Sequence, residues 1–110
     1  MKHYLAGPMT GIDGYNFPAF EKAADHLRAQ GLDIYSPTDI DMGETPETRG
    51  MKPHSEYLKA CLKVLVECEV AIMMPGWPQS KGAQVEFMVA LAMGMKIFIL
   101  SKEYELTRVA

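Results

Sequence analysis

The chain has 110 residues, of which 48% are hydrophobic and 23% are charged, and this length and apolar content are typical of one globular domain spanning residues 1–110. A net charge of −3 argues against a nucleic-acid-binding protein, and no apolar run is long enough for a membrane span. The start of the chain lacks the apolar core of a secretory signal. Cys61 and Cys68 lie on one predicted helix and its end, about 10.5 Å apart, which is too far for a disulfide. We therefore expect a cytoplasmic protein with reduced cysteines and no structural metal site.

The first part of the chain alternates short apolar runs with one amphipathic segment. Residues 2–6 and 32–35 predict buried strands, because each run is largely apolar or aromatic and ends at a turn signal. The glycine-rich segment 7–14 predicts a loop. Residues 17–30 place apolar side chains at helical steps of three and four and predict a helix, with Gly31 as its C-cap.

The rest of the chain continues this alternation after a long polar segment. Residues 38–53 have little apolar content and predict a long loop, which inside a compact domain often serves as a binding loop. The later predicted elements are a helix over 55–67 with Ser55 as a possible N-cap, a strand over 70–74, a helix over 80–93 and a strand over 96–100. Residues 101–110 predict either a fifth strand or a terminal turn.

The order β-α-β-α-β-α-β predicts an α/β fold. We expect a three-layer, flavodoxin- or Rossmann-like parallel sheet of four to five strands, with helices on both faces. Right-handed crossovers favour the flavodoxin-like strand order. Because ligands bind outside the carboxyl ends of such strands, the segments that follow the strands and the helix starts near His54 and Ser80 should gather at one rim.

Glu86 is the strongest indication of a functional site. It is the only charged residue between Lys81 and Lys96, and its neighbours one helical turn away are all small or apolar. A carboxylate on an apolar helix face must be paired, hydrogen-bonded or functional. The alternative at this point is an ordinary solvated glutamate.

Two other rim residues have both a structural and a functional interpretation. Ser80 is either the N-cap of the last helix or a phosphate ligand, since helix N-termini bind anions. Trp77 is either a hydrophobic cover over the core or a side chain that covers a bound substrate.

Two segments resemble the nucleoside 2-deoxyribosyltransferase superfamily and its short members. They are Tyr-Leu-Ala-Gly-Pro-Met at 4–9 and Pro-Gly-Trp-Pro-Gln-Ser-Lys-Gly-Ala-Gln-Val-Glu at 75–86. The resemblance implies that Glu86 is the catalytic nucleophile and that Tyr4 holds its carboxylate, for which we expect a hydrogen bond of about 2.5–3.0 Å. The substrate-binding residues expected with them are Gly7, Pro8, Met9, Trp77, Ser80 and Gly82.

The resemblance also separates two branches of the superfamily. Transferases often carry an Asp at the position of Ser80, whereas a Ser there, followed by Gly82, is similar to 2′-deoxynucleoside 5′-monophosphate N-glycosidases, in which these residues help to hold the phosphate. Cys61 departs from the superfamily pattern, because an acid that serves the leaving base usually stands 25 residues before the nucleophile. Four other residues are candidates for that role, and none stands out: Asp39, Asp41, His54 and Glu56.

The leading hypothesis is an enzyme that cleaves or transfers at the N-glycosidic bond of a 2′-deoxyribonucleoside or its 5′-monophosphate, through a covalent deoxyribosyl-Glu86 intermediate. The alternative is a non-catalytic nucleotide-binding or sensor module that retains the fold and has lost turnover, which Cys61 favours. We expect a small-molecule nucleoside or nucleotide as the ligand, no cofactor and no metal. The resemblance further implies a homodimer or a higher homo-oligomer, because the family completes its sites across subunits.

Overall fold

The computed structural model describes residues 1–9, 12–40, 42–45, 47–48 and 51–110, without the side chains of residues 13 and 14. The strands are β1, Lys2–Ala6; β2, Asp33–Tyr35; β3, Val70–Met73; β4, Lys96–Leu100; and β5, Leu106–Arg108. The helices are α1, Phe17–Ala29; α2, His54–Leu65; and α3, Lys81–Ala92, and short 3₁₀ turns lie at Asp13–Asn16, Pro37–Asp39 and Trp77–Gln79. Among these described elements, no helix is long and apolar enough to cross a membrane.

The five strands form one sheet in the order β2-β1-β3-β4-β5. The first four strands are parallel, and β5 runs antiparallel to β4 along one edge. The predicted α/β fold and its flavodoxin-like strand order are therefore confirmed. Of the two alternatives for residues 101–110, the strand is the correct one.

The helices cover both faces of the sheet, and the alternation of side chains along β1 divides the core between them. Leu5 packs on one face with α1 residues such as Phe20 and Leu27. Tyr4 and Ala6 point to the opposite face and pack with residues of α2 and α3. The residues singled out on β1 and α3 therefore meet in the same layer.

The helix starts agree only in part with the expectations. α2 begins at His54, one residue earlier than predicted, and Pro53 occupies the N-cap position without a side-chain hydrogen bond, so Ser55 as N-cap is wrong. Ser80 does cap α3, because its Oγ accepts a hydrogen bond of 3.2 Å from the backbone N–H of Ala83.

Candidate active site

The rim of the site is formed where β1 and β3 leave the sheet. The backbone N–H of Met74 donates to the carbonyl oxygen of Ala6 at 2.7 Å, which keeps the two chain segments adjacent beyond their strands. At this point a Cβ on Gly7 would lie 2.9 Å from the Cβ of Met74, closer than carbon atoms tolerate. Gly7 is therefore required for the close approach that shapes the floor of the rim.

Three buried side chains from three elements meet below this rim. Tyr4 on β1 is 0% exposed, Glu86 on α3 is 5% exposed and Cys61 on α2 is 7% exposed. The hydroxyl of Tyr4 and the Oε2 atom of Glu86 are both fully buried, and neither has a hydrogen-bond partner among the described residues. Buried polar atoms of this kind are uncommon in folded proteins and often belong to functional sites.

Tyr4 and Glu86 are neighbours, since Tyr4 lies on an inner strand of the sheet and Glu86 on a helix packed against the same face. A hydrogen-bond interaction with the Tyr4 hydroxyl lowers the pKa of the Glu86 carboxyl. The two side chains do not reach ordinary hydrogen-bond geometry here, so the expected bond of about 2.5–3.0 Å stays a prediction.

Burial dominates the proton affinities of this cluster. It raises the pKa of the Glu86 carboxyl to about 7, and the Tyr4 hydroxyl opposes that rise. Burial, and then the charge of Glu86, raise the pKa of the Cys61 thiol to about 11 and hold the pKa of Tyr4 well above its usual value. Near neutral pH Glu86 thus exchanges its proton, while Tyr4 and Cys61 keep theirs.

A narrow cavity of about 30 Å³ opens onto Glu86. Its wall unites residues that the sequence places far apart, namely Gly7, Met9, Ser80, Gly82 and Glu86. Five of the eight predicted site residues therefore line one space. His54, one of the four acid candidates, also contributes to its wall.

Two wider cavities flank this narrow one and share wall residues with it. The first, of about 160 Å³, has an aromatic wall of Tyr15, Phe17 and Tyr57, in which the Tyr15 and Tyr57 ring centroids are 5.3 Å apart. The second, of about 450 Å³, lies at the start of α3, and its largely apolar wall also contains polar side chains. Its lining residues include Pro8, His54, Gln79, Ser80, Lys81 and Gly82.

Trp77 is the predicted site residue that the structure places elsewhere. Its ring stacks on Phe87 with centroids 4.7 Å apart and packs against the core beneath α3. It lines none of the three cavities around Glu86 among the described residues. This packing favours a hydrophobic cover over the core, and the substrate-covering role expected for Trp77 stays a prediction.

The four candidate acids separate clearly. Asp39 forms an ion pair of 2.7 Å with Arg28 and accepts a hydrogen bond of 3.0 Å from the backbone of Ser36, which gives it a structural role. Glu56 is exposed on α2, and Asp41 lies outside the described residues. Of the three candidates that the structure describes, His54 is the one that borders the cavities.

The sequence-based reasoning missed the residues of the aromatic cavity, above all Tyr15, Glu44 and Tyr57. Tyr15 and Asn16 adopt left-handed backbone conformations with φ of 58° and 61°, and the Asn16 side-chain amide donates to the carbonyl of Pro8 at 2.8 Å. Such strained non-glycine residues cluster at functional sites, yet nothing in the local sequence reveals them.

The arrangement offers no metal centre within the part of the chain that the structure describes, since no group of three or more His, Cys, Asp or Glu residues is placed to hold an ion there. What it does offer is one buried carboxyl with a pKa near neutrality, lying between the aromatic cavity and the cavity at the start of α3. A carboxyl of this kind can act as a nucleophile or as an acid–base group.

Comparisons with known proteins agree with this architecture. A protein-family model described as "Domain of unknown function (DUF4406)" matches residues 1–99. Among solved structures, the chain is similar to a 2-deoxyribosyltransferase from Bacillus psychrosaccharolyticus, described as a biocatalyst for the synthesis of nucleosides, with a TM-score of 0.66, 19% identity, and coverage of 90% of this chain and 71% of that one. No curated protein gives a significant match. The likeness to the nucleoside 2-deoxyribosyltransferase superfamily expected from the sequence is thus confirmed in the fold.

Proposed function

The chain belongs to the family described as Domain of unknown function (DUF4406), and we propose that it is an enzyme that cleaves or transfers at the N-glycosidic bond of a 2′-deoxyribonucleoside or its 5′-monophosphate. Its fold is shared with a 2-deoxyribosyltransferase, an enzyme of nucleoside synthesis. The choice of reaction rests on the site itself, because one fold carries many activities.

The observation that carries the proposal is the order of the three cavities. The narrow cavity at Glu86 shares wall residues with the aromatic cavity on one side and with the cavity at the start of α3 on the other. A deoxynucleotide has the same order of parts, since a flat base is joined to a sugar and the sugar to a phosphate. Aromatic rings bind bases by stacking, and a helix N-terminus with polar side chains binds phosphate.

Glu86 then lies beside the sugar. Its carboxylate attacks C1′ as the bond to the base breaks, which forms a deoxyribosyl ester, and water or a second base takes the sugar in the next step. The Oε2 atom of Glu86, which has no hydrogen-bond partner within the described structure, is then the atom that bonds to C1′. Tyr4 lowers the pKa of the carboxyl and thereby favours its ionised, nucleophilic form.

The cavity at the start of α3 has features that favour a phosphorylated substrate. Ser80 replaces the acid that would repel a phosphate, and the backbone around it already presents the first N–H groups of α3. A Cβ on Gly82 would lie 3.4 Å from Cε1 of His54, which is van der Waals contact, so the imidazole lies directly against the helix start. Lys81 adds a positive charge to the same wall.

Substrate entry requires the narrow cavity to widen, since about 30 Å³ holds a solvent molecule and not a sugar. Met9 lines both the narrow and the aromatic cavity. Its unbranched side chain adapts more easily than a branched or aromatic one. Rotation of Met9 therefore offers a route by which the two cavities merge around a bound nucleoside.

The test is incubation with the four common 2′-deoxynucleosides and their 5′-monophosphates, followed by chromatography for free base. The proposal expects base release from at least one monophosphate, faster than from the matching nucleoside. Thermal stabilisation by these compounds without base release would instead favour the non-catalytic nucleotide-binding module. If these compounds cause neither thermal stabilisation nor base release, both the enzyme and the nucleotide-binding module are wrong.

We also retain the homo-oligomer as part of the proposal. The outward side of α3 exposes several large apolar side chains, namely Val85, Met88, Leu91 and Met93. Apolar groups concentrated on one exposed helix commonly mark an interface between proteins. Sedimentation analysis should therefore give a mass of two or more chains, and replacement of Met88 by Lys should reduce it.

A further inference from the structure

The base side of the site contains a carboxyl that the superfamily resemblance does not assign. Among the described residues of the aromatic cavity, Glu44 is the one carboxylic acid. It follows the short β2 strand in the long polar segment, at a position with no periodicity to single it out. The same cavity is lined by Cys61, the residue that stands where an acid is expected.

Tyr57 holds Glu44 in this position. The buried Tyr57 hydroxyl donates a hydrogen bond to Oε2 of Glu44 and accepts one of 3.2 Å from the backbone N–H of Lys52. Tyr57 and Cys61 are four residues apart on α2 and therefore share one face of the helix. The contact brings the carboxyl of Glu44 to the helix face from which an acid at position 61 would have projected.

Cys61 connects the two carboxyls in space. It lines the cavity that contains Glu44 as well as the cavity that contains Glu86, and the charge of Glu86 contributes to its raised pKa. Met9, Tyr15 and Tyr57 likewise belong to both walls. A base in the aromatic cavity would thus have Glu86 on its sugar side and Glu44 on the wall around it.

We propose that Glu44, positioned by Tyr57, is the acid that protonates the leaving base. The inference rests on the proposed function. As the Glu86 carboxylate bonds to C1′, the C1′–N bond breaks with its electron pair going to the base nitrogen, and the base takes the proton of the Glu44 carboxyl. In the second step Glu44 takes a proton from the attacking water, or from the incoming base, as C1′ leaves Glu86, and both carboxyls return to their starting state.

Cys61 is a poor alternative for this step. Its thiol has a pKa of about 11, far above neutral pH, whereas an efficient general acid has a pKa near the working pH. The thiol is also buried against Tyr4 and Glu86 on the sugar side of the cavity. The structure thus supplies the missing acid from a different segment of the chain.

The experiment compares Glu44→Gln with wild type on two substrates. The first is the deoxynucleotide that wild type cleaves fastest. The second is an analogue whose base leaves without protonation, namely an N7-methylated purine or a 5-nitrated pyrimidine. We expect Glu44→Gln to lower kcat for the natural substrate roughly 100-fold or more, the usual contribution of general acid catalysis, and to lower it only a few-fold for the analogue. Glu47→Gln removes the same charge from an exposed site on the same segment and should leave both rates unchanged.

Equal losses of kcat on both substrates would overturn the inference, because Glu44 would then only position the segment. Unchanged rates on both would overturn it as well. Glu86→Gln tests the proposed function independently of Glu44. Loss of the nucleophile must abolish cleavage of both substrates, whatever the role of Glu44. If wild type cleaves neither substrate, the proposed function fails and the role of Glu44 fails with it.

Discussion

Replacing Glu86 with Gln should make the protein more stable at alkaline pH and little different at acidic pH. The folded state holds the Glu86 carboxyl with a pKa of about 7, against a usual value of 4.5. Between these two pH values the folded protein binds a proton that the unfolded chain has lost. The free energy of unfolding of wild type therefore falls as pH rises through this window, and the fall is complete above about pH 8.

The magnitude follows from the same two values. Each pKa unit corresponds to about 1.4 kcal/mol, so ionising Glu86 inside the fold costs roughly 3 kcal/mol. This is a large part of the stability of a small domain. Glutamine has a similar shape and never ionises, so Glu86→Gln removes the pH-dependent cost and leaves a constant offset from its different hydrogen bonding.

Urea denaturation followed by circular dichroism, from pH 4.5 to pH 8.5, measures this difference. We expect the gap between variant and wild type to widen in favour of the variant as pH rises, by roughly 3 kcal/mol in total. Glu21→Gln, at an exposed site on α1, is the matched control and should follow the wild-type curve. A gap that does not change with pH, or one that narrows, would refute the argument that burial dominates the Glu86 carboxyl.

Three further predictions address the surroundings of Glu86. Tyr4→Phe removes the hydroxyl that lowers the pKa of Glu86. The acid limb of the pH profile of kcat/KM, expected near pH 7 for wild type, should therefore move to higher pH. An acid limb at the same pH as in wild type would contradict this role of Tyr4. Ser80→Asp keeps a good N-cap and should unfold within about 0.5 kcal/mol of wild type, yet lose preference for monophosphates over nucleosides; an unchanged preference would count against the phosphate site. Gly7→Ala places a Cβ 2.9 Å from the Cβ of Met74 and should lower the free energy of unfolding by about 1–3 kcal/mol, which a urea midpoint equal to that of wild type would disprove.

Much of the fold could be predicted because its signals are local. Apolar runs such as 70–73 and helical spacing such as that of Phe20 and Leu27 are written into short stretches of sequence. Helix starts are less certain, and Ser55 illustrates why. Pro53 already fixes a backbone angle suited to the turn that precedes a helix, so α2 starts at His54 and Ser55 lies inside its first turn.

The part of the candidate site around Glu86 was predictable from the sequence, and the part around Glu44 was not. Glu86 stands out in sequence because its helix is otherwise apolar, and the structure confirms that it is buried. Glu44 lies among polar residues and contacts Tyr57, 13 residues later in the chain. No local pattern encodes such a contact.

The aromatic residues also show that contacts between residues distant in sequence cannot be predicted from local patterns. Trp77 attracted attention because it is the only tryptophan, but its neighbour in space is Phe87, and the pair covers the core. Tyr15 and Tyr57 do not stand out in the sequence, yet their rings meet in the cavity wall, and the backbone of Tyr15 is left-handed there.

The central claim is that Glu86 forms a bond to the sugar, and its most direct test is the rate of base release by Glu86→Gln under saturating deoxynucleotide at pH 8. The stability profile above provides the proof that this variant is folded under the same conditions. The account predicts a loss of roughly 1,000-fold or more relative to wild type, because a neutral amide cannot replace a carboxylate nucleophile. A Glu86→Gln protein that releases base within about tenfold of the wild-type rate, a barrier change of only about 1.4 kcal/mol, would contradict it.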